Sequence, residues 1–387
     1  MRTYLDNAAT SFPKPPAVVE AVHQYLSECG APAGRGAYRA ALDVGRTVAR
    51  CRQSAAKLLG VADPSRFVFT FNGTDGLNVA IQGVCRPGDH AVTSTWEHNS
   101  VLRPLRALEQ QRGVAVTRLQ PDATGRLDPA ALQATLQPNT RLVVVQHASN
   151  VTGVIQSLDD LAAVVRKHGA LFLVDAAQSA GHVPIDLSAT DVDLWACSGH
   201  KGLLGPLGTG LLYVGTRAEP LLEPLRWGGT GTHSEDDVQP RELPDRLESG
   251  NLNVPGIVGL DAALTEILAR GIPAICEHEQ ELTRRLWRGL AEIRSVTLFG
   301  PPPEHVPRTG VVSLQLTDLA PQEAAALLDQ HFGIECRAGL HCAPGVHRAL
   351  GTLETGGTLR FSVGMFNTPD HIDRAVKGVK ALAEAQG

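Results

Sequence analysis

A lysine set among serine, histidine and glycines, in SGHKGLLGPLGTG (198–210), is the segment of this 387-residue chain best suited to covalent chemistry. It is not a phosphate-binding P-loop, because no glycine precedes Lys201 at the needed spacing and Gly202 stands where Ser or Thr belongs. GRGAY (34–38) likewise lacks the third glycine of a dinucleotide fingerprint, and no strand leads into it. Lys201 gains meaning from VDAAQSAGH (174–182), where Asp175 ends an apolar run and Gln178 follows three residues later. A carboxylate at the C-terminal end of a parallel strand points into the crevice where open α/β sheets bind ligands. A Schiff-base lysine with a carboxylate for a pyridinium nitrogen is the pair that holds pyridoxal 5'-phosphate (PLP) and makes it an electron sink. The structural alternative for Asp175 alone is a helix N-cap. Its spacing of 26 positions from Lys201 favours the cofactor.

Further polar groups fall at the ends of other strand-like runs. FNGTDGLNVA (71–80) places Gly73 and Thr74 between a strand and a helix, where backbone N–H groups and a hydroxyl can cradle a phosphate. WEHNS (96–100) contributes His98, and HASNVTG (147–153) contributes Asn150. In CRAGLHCAP (336–344), Arg337 and His341 flank Cys342 and are candidates to stabilise its thiolate. A metal site built from Cys336, His341, Cys342 and His347 fits poorly, because adjacent residues make awkward ligands and no CxxC or HxxxH supports it. Cys29, Cys51, Cys85, Cys197 and Cys276 are assigned to structure.

The elements that must position these groups alternate. RFVFTF (66–71), HAVTST (90–95), RLVVVQH (141–147) and ALFLVDA (170–176) are runs of strand length. GLNVAIQGV, SVLRPLRALEQQ and LDDLAAVVRKHG between them have helical spacing, so the expected fold is α/β with a mostly parallel sheet. After residue 215 comes an irregular excursion, RWGGTGTHSEDDVQPRELPDR (226–246). A long helical region follows (256–293), then RTGVVSLQL (308–316), a helix over 321–331, FGIECRAG (332–339), TLRFSVGMF (358–366) and a last helix from Pro369. The expected division is a large domain over 16–255 and a smaller α+β domain formed by 1–15 with 256–387. Thirty-five basic against 40 acidic residues give a net charge of −5, which argues against nucleic-acid or membrane-surface binding. Aromatic residues at 4% are too few for base-stacking platforms. No apolar stretch reaches spanning length, no secretory signal is read at the N-terminus, and seven cysteines without a CxxC pair suit a reducing compartment. The expectation is a cytoplasmic protein.

These segments together resemble the class V aminotransferases, PLP enzymes of fold type I, and within them the cysteine desulfurases. The resemblance runs from YLDNAAT (4–10) to RFSVGMFNT (360–368), and its most specific pieces are VDAAQSAGH, SGHKG and CRAGLHCAP. It implies that Lys201 forms the Schiff base, Asp175 pairs with the pyridine nitrogen, Gln178 contacts the phenolic oxygen and His98 stacks on the ring. Gly73, Thr74, Ser198 and His200 would hold the phosphate. Asn150, Arg337 and Arg360 would bind the substrate L-cysteine, Arg360 taking the α-carboxylate. Cys342 would take the substrate sulfur as a persulfide, release alanine and pass the sulfur to an acceptor protein or small thiol. Iron–sulfur cluster assembly and tRNA thiolation are among the uses so implied. A homodimer and no resident metal are also implied. Selenocysteine lyase, cysteine/cystine C–S lyase and aminotransferase are the alternatives on the same fold, and a non-catalytic sulfur carrier is a more distant one. Two positions depart from the family pattern: Gly34 precedes Arg35 where many relatives carry histidine, and Asn251 replaces a threonine that relatives extend to the partner's phosphate site. The Cys342 segment is short, so it is expected to be an ordered loop at the cleft mouth.

Overall fold

Apolar runs without polar alternation sit where both faces of a sheet are covered. The computed structural model describes residues 2–34, 36–232 and 235–385, so Arg35 lies outside the described residues. In chain order the first half forms β1 (Thr3–Tyr4), α1 (Pro16–Gln24), α2 (Arg39–Leu58), β2 (Phe67–Thr70), α3 (Gly73–Val84), β3 (His90–Ser94), α4 (Asn99–Arg112), β4 (Ala115–Leu119), α5 (Pro129–Thr135), β5 (Thr140–Gln146), α6 (Leu158–His168), β6 (Leu171–Asp175), β7 (Leu194–Ser198) and β8 (Gly210–Val214). The remainder forms α7 (Val254–Arg270), α8 (Ile272–Ala291), β9 (Val296–Phe299), β10 (Val311–Leu316), α9 (Pro321–Phe332), β11 (Ile334–Glu335), β12 (Arg337–Gly339), α10 (Pro344–Ala349), β13 (Thr358–Ser362) and α11 (Pro369–Ala385).

The main sheet has the order β2-β8-β7-β6-β5-β3-β4. β8 alone runs against its neighbours, so the sheet is mixed but mostly parallel, an α/β fold as expected. Side chains alternate between its two faces. Val143, Val145, Phe172, Val174 and Trp195 face the helices α1, α2, α6 and α7, while Leu142, Val144, Leu171, Leu173 and Ala196 face α3 and α4. β4, β7 and β8 complete a sheet of which the sequence singled out only four runs. The smaller sheet, β12-β13-β10-β9, packs on α8, α9 and α11 through Leu282, Leu286, Leu328, Phe361, Ile372 and Val379.

The helical region after 256 divides at Gly271, which has φ +83° and is followed by Pro273. α7 buries Ile257, Leu260, Leu264 and Ile267 in the core of the large sheet, and Ile275 of α8 still belongs to it. Packing therefore carries the first core past residue 256, while Leu5 from the N-terminal segment joins the core of the small sheet. Among its described residues the excursion over 226–246 has no helix or strand, and Arg226 ties it to Asp75 at 2.8 Å. Among the described residues no helix is long and apolar enough to cross a membrane.

Candidate active site

β2, β3, β5, β6 and β7 run in one direction, so the loops after them meet along one sheet edge. There a cleft is lined by Gly73, Thr74, His98, Asn150, Asp175 and Lys201, with Gln178 and Ser198 also in its wall. Two of these loops touch closely, which explains their glycines. A Cβ on Gly181 would overlap the Gly202 carbonyl, and one on Gly202 would overlap the Ala180 carbonyl and the His182 ring. Gly202 thus serves packing of the VDAAQSAGH loop on the lysine loop. His182 continues this anchor, with Nδ1 2.8 Å from Glu279 of α8.

Asp175, the last residue of β6, is buried, and its Oδ1 accepts from the Ala177 N–H at 2.9 Å. Burial pushes its pKa up, against the opposing pull of the Ala177 N–H and Lys201. Burial likewise lowers the Lys201 pKa to about 8, opposed by Asp175 and assisted by Arg360 and Arg337. Lys14 is also lowered to about 8 by burial; its Nζ donates to the His200 carbonyl at 2.9 Å. Of the two lysines, Lys201 lines the cleft with Asp175.

His98 caps α4: its Nδ1 accepts from the Ser100 N–H at 3.0 Å, which leaves the proton of the neutral ring on Nε2. Burial and then Lys201 hold its pKa down to about 4, so the ring is uncharged at neutral pH. Ser100 Oγ also links Nδ1 of His98 to Thr74 Oγ1, at 2.8 and 2.7 Å. The Gly73 N–H donates to Ser198 Oγ at 3.1 Å, and a Cβ at Gly73 would lie 2.9 Å from that oxygen. Gln178 Nε2 donates to the Ala8 carbonyl at 2.9 Å. His200 is held at about 4 by burial and then Lys201, and its buried Nδ1 has no partner.

Arg360 on β13 is 1% exposed. Its Nη2 pairs with Asp6 at 2.9 Å, Nη1 donates to the Asn150 carbonyl at 3.0 Å, and Nε is unpaired. Arg337 of β12 is its direct cross-strand partner, exposed. Like charges directly opposite on one sheet face repel, so the pair favours an anion between or beside them. Cys342 is exposed, close enough to Lys201 to act on it electrostatically. It sits in a turn over Leu340–Ala343 closed by Ala343 N–H to Leu340 O at 2.9 Å, with φ +48° at His341 and +58° at Cys342.

His341 does not serve the thiolate as the sequence suggested. Its buried ring points Nε2 at the Thr358 carbonyl at 3.1 Å, and burial and then Arg360 push its pKa down to about 2. A neutral ring committed elsewhere cannot supply positive charge. The sequence reading also passed over Glu97, buried beside His98. Glu97 accepts from Ser94 Oγ at 2.6 Å and the Gln146 N–H at 2.8 Å, and burial raises its pKa to about 8. It equally passed over the N-terminal segment, whose Asp6, Ala8, Ser11 and Lys14 all bond to site residues or their loops. No group of three or more potential metal ligands occurs among the described residues.

The low pKa of the cleft lysine has a direct consequence. In cofactor-free protein, amine acylation followed by peptide mass spectrometry should label Lys201 and Lys14 with midpoints near pH 8. A free lysine peptide, with its ordinary pKa of about 10.4, should respond only at higher pH. Labelling of Lys201 that begins only near pH 10 would contradict the burial argument.

The aminotransferase class-V family model matches residues 3–375. A protein of Methanothermobacter thermautotrophicus, named a probable cysteine desulfurase, is 37% identical over 98% of this chain and 94% of its own length. A cysteine desulfurase of Salmonella agona is 32% identical over 99% of this chain and 94% of its own. The solved apo structure of a cysteine desulfurase from Thermococcus onnurineus superposes with a TM-score of 0.92, at 33% identity, over 99% of this chain and 95% of that one.

Proposed function

As a member of the class-V aminotransferase family the chain is a cysteine desulfurase, and from that premise we propose how its residues divide the work. The family implies PLP, and the donor set of the cleft fits it. Asp175 is a buried carboxylate whose raised pKa asks for a cationic partner, as a protonated pyridine nitrogen would be. His98 is a neutral ring able to stack without charge repulsion; Gly73, Thr74 and Ser198 in the cleft wall, with the unpartnered His200 ring on the adjoining loop, would supply donors for a phosphate. When bound, PLP supplies a sink for the electron pair released at the substrate's Cα.

The protein's own groups do the rest. Lys201 Nζ would hold the cofactor and, as the free amine once substrate has displaced it, would take the Cα proton, which its lowered pKa makes feasible near neutral pH. Gln178, its side chain held by the Ala8 carbonyl, would hold the cofactor's phenolic oxygen. Arg360, with Nε uncommitted and Arg337 beside it, binds the α-carboxylate, and Asn150 borders the same place. Cys342 then attacks the substrate sulfur. An S–S bond forms as the Cβ–S bond breaks, the electron pair stays with carbon, and protonation there yields alanine. L-cysteine plus enzyme thiol thus become alanine plus enzyme persulfide, and an acceptor protein or small thiol removes the sulfur. The observation that carries this reading is an exposed Cys342 on a turn bonded to Asn99 and to Asn150, a residue of the same cleft wall that holds Lys201 and buried Asp175.

We further propose a homodimer, since Val19, Leu26, Leu207 and Trp227 leave large apolar surfaces exposed. The division into two domains is proposed as 16–255 and 1–15 with 256–387, with α7 packed on the larger one. The functional test is to load the pure protein with PLP, add L-cysteine and a thiol, and measure alanine and sulfide. Equal amounts of both are expected. Borohydride reduction should leave a pyridoxyl group on Lys201; an adduct on Lys14 instead would refute the assignment.

A further inference from the structure

The turn that presents Cys342 is held from two sides. From the large sheet, the Asn99 N–H donates to the Cys342 carbonyl at 2.8 Å, and Asn150 Nδ2 donates to the His341 carbonyl at 2.6 Å. Trp96 and Val151 pack with Ala343 and Val346 in a small apolar cluster of their own. Gly345 approaches the Thr95 carbonyl so closely that a Cβ there would overlap it. The segment 95–99 therefore carries both His98 and the seat of Cys342.

From the other side stands His347 of α10, fully buried. Its Nδ1 is 2.8 Å from Thr352 Oγ1, and its ring centroid lies 5.6 Å from that of His341. Burial lowers its pKa to about 4, opposed by a polar contact with the Leu340 backbone, so the ring joins Thr352 to the first residue of the turn. An apolar side chain could make neither contact, so packing alone does not account for histidine here. Two successive non-glycine residues at positive φ persist only where their surroundings over-determine them.

We propose that His347 is the positioning residue for sulfur transfer: by bracing Leu340 and His341 it keeps the turn in the form that docks on segment 95–99 and so sets where the Cys342 Sγ lies. The inference rests on the reading of Cys342 as sulfur acceptor. Its docking part can be observed separately. Asn99 is the first residue of α4, where an amide has no partner within the helix, so its protection from hydrogen exchange reports the bond to Cys342 alone.

The experiment compares wild type, His347→Leu and His347→Asn. In PLP-loaded protein it follows the visible band, its change on adding L-cysteine, and persulfide on Cys342 by alkylation and mass spectrometry in a single turnover. In cofactor-free protein it follows exchange at Asn99. His347→Leu should keep the band and its response to cysteine. Its persulfide formation should slow by about 100-fold, as a displacement near 1 Å does, and Asn99 should exchange faster. His347→Asn, which restores a polar partner for Thr352, should recover part of both. A purely structural role would lower the melting temperature without separating cysteine binding from persulfide formation. Persulfide formation at the wild-type rate in His347→Leu, with Asn99 still protected, would overturn the proposal. Should that variant not fold, Thr352→Val removes only the hydroxyl that fixes the ring. Slowing by roughly tenfold is expected there, from one lost hydrogen bond, and wild-type behaviour would overturn the proposal equally. If wild type makes alanine but carries no sulfur on Cys342, the acceptor reading falls. Unchanged Asn99 exchange in His347→Leu would then still overturn the docking.

Discussion

Asp175→Asn should leave a folded protein whose alanine formation from L-cysteine is lower by roughly 10³-fold, because removing one partner of a buried charged pair costs about 3–5 kcal/mol. The amide oxygen can still accept from the Ala177 N–H, which the carboxylate does at 2.9 Å, so the strand end keeps its local geometry. What disappears is the negative charge that keeps a pyridine nitrogen protonated. The sign for stability is opposite. A buried carboxylate whose folded pKa is raised contributes stability that is full below the ordinary carboxylate range and is lost as pH rises through the raised value, so ionisation costs stability toward neutral pH. Cofactor-free Asp175→Asn should accordingly melt no lower than wild type near pH 7. Steady-state alanine assays and thermal melts on the same preparation check both halves. Activity near wild type would remove Asp175 from its role, and a sharp fall in melting temperature would show it to be a structural cap instead.

Cys342→Ser should abolish protein-bound persulfide and lower alanine formation by at least roughly 10³-fold, since the nucleophile itself is lost. The visible band and its response to L-cysteine should survive, because Cys342 enters the turn through its backbone carbonyl, bonded to the Asn99 N–H. Serine preserves that bond and nearly the same volume. Cys29 is the other exposed cysteine, lying just beyond α1, so Cys29→Ser should behave as wild type. Mass spectrometry of alkylated protein after one turnover distinguishes the two. Persulfide remaining in Cys342→Ser, or lost in Cys29→Ser, would move the sulfur acceptor elsewhere.

Much of the site was legible in the sequence because strand ends and turn glycines leave local marks. β6 reads as an apolar run ending in Asp175, and Asp175, Gln178 and Lys201 all line the cleft. Gly73 and Thr74 open α3 where the strand-to-helix pattern placed them, and α6 ends at Gly169 with φ +95°. These features follow from the periods of strand and helix and from the few residues that tolerate left-handed backbone. The shortness of the Cys342 segment likewise foretold a turn with little reach, since its ends are fixed by β12 and α10.

Tertiary structure decided the rest, through contacts that local spacing does not encode. Asp6 meets Arg360 and Ala8 meets Gln178 only because β1 pairs with β11 and the N-terminal segment returns across the cleft. The adherence of α7 to the large core depends on which sheet its apolar stripe finds, and many sheets would accept the same stripe. Protonation is the clearest case. His341 beside Cys342 looks in sequence like a cation for a thiolate, yet burial and the Thr358 carbonyl leave it neutral. Conversely, nothing in the residues around Lys201 announces a pKa near 8; the surrounding protein lowers it by excluding water from the ammonium. Residue type sets which groups can react, but desolvation and the fixed neighbours of each group, which exist only in the folded chain, set its charge.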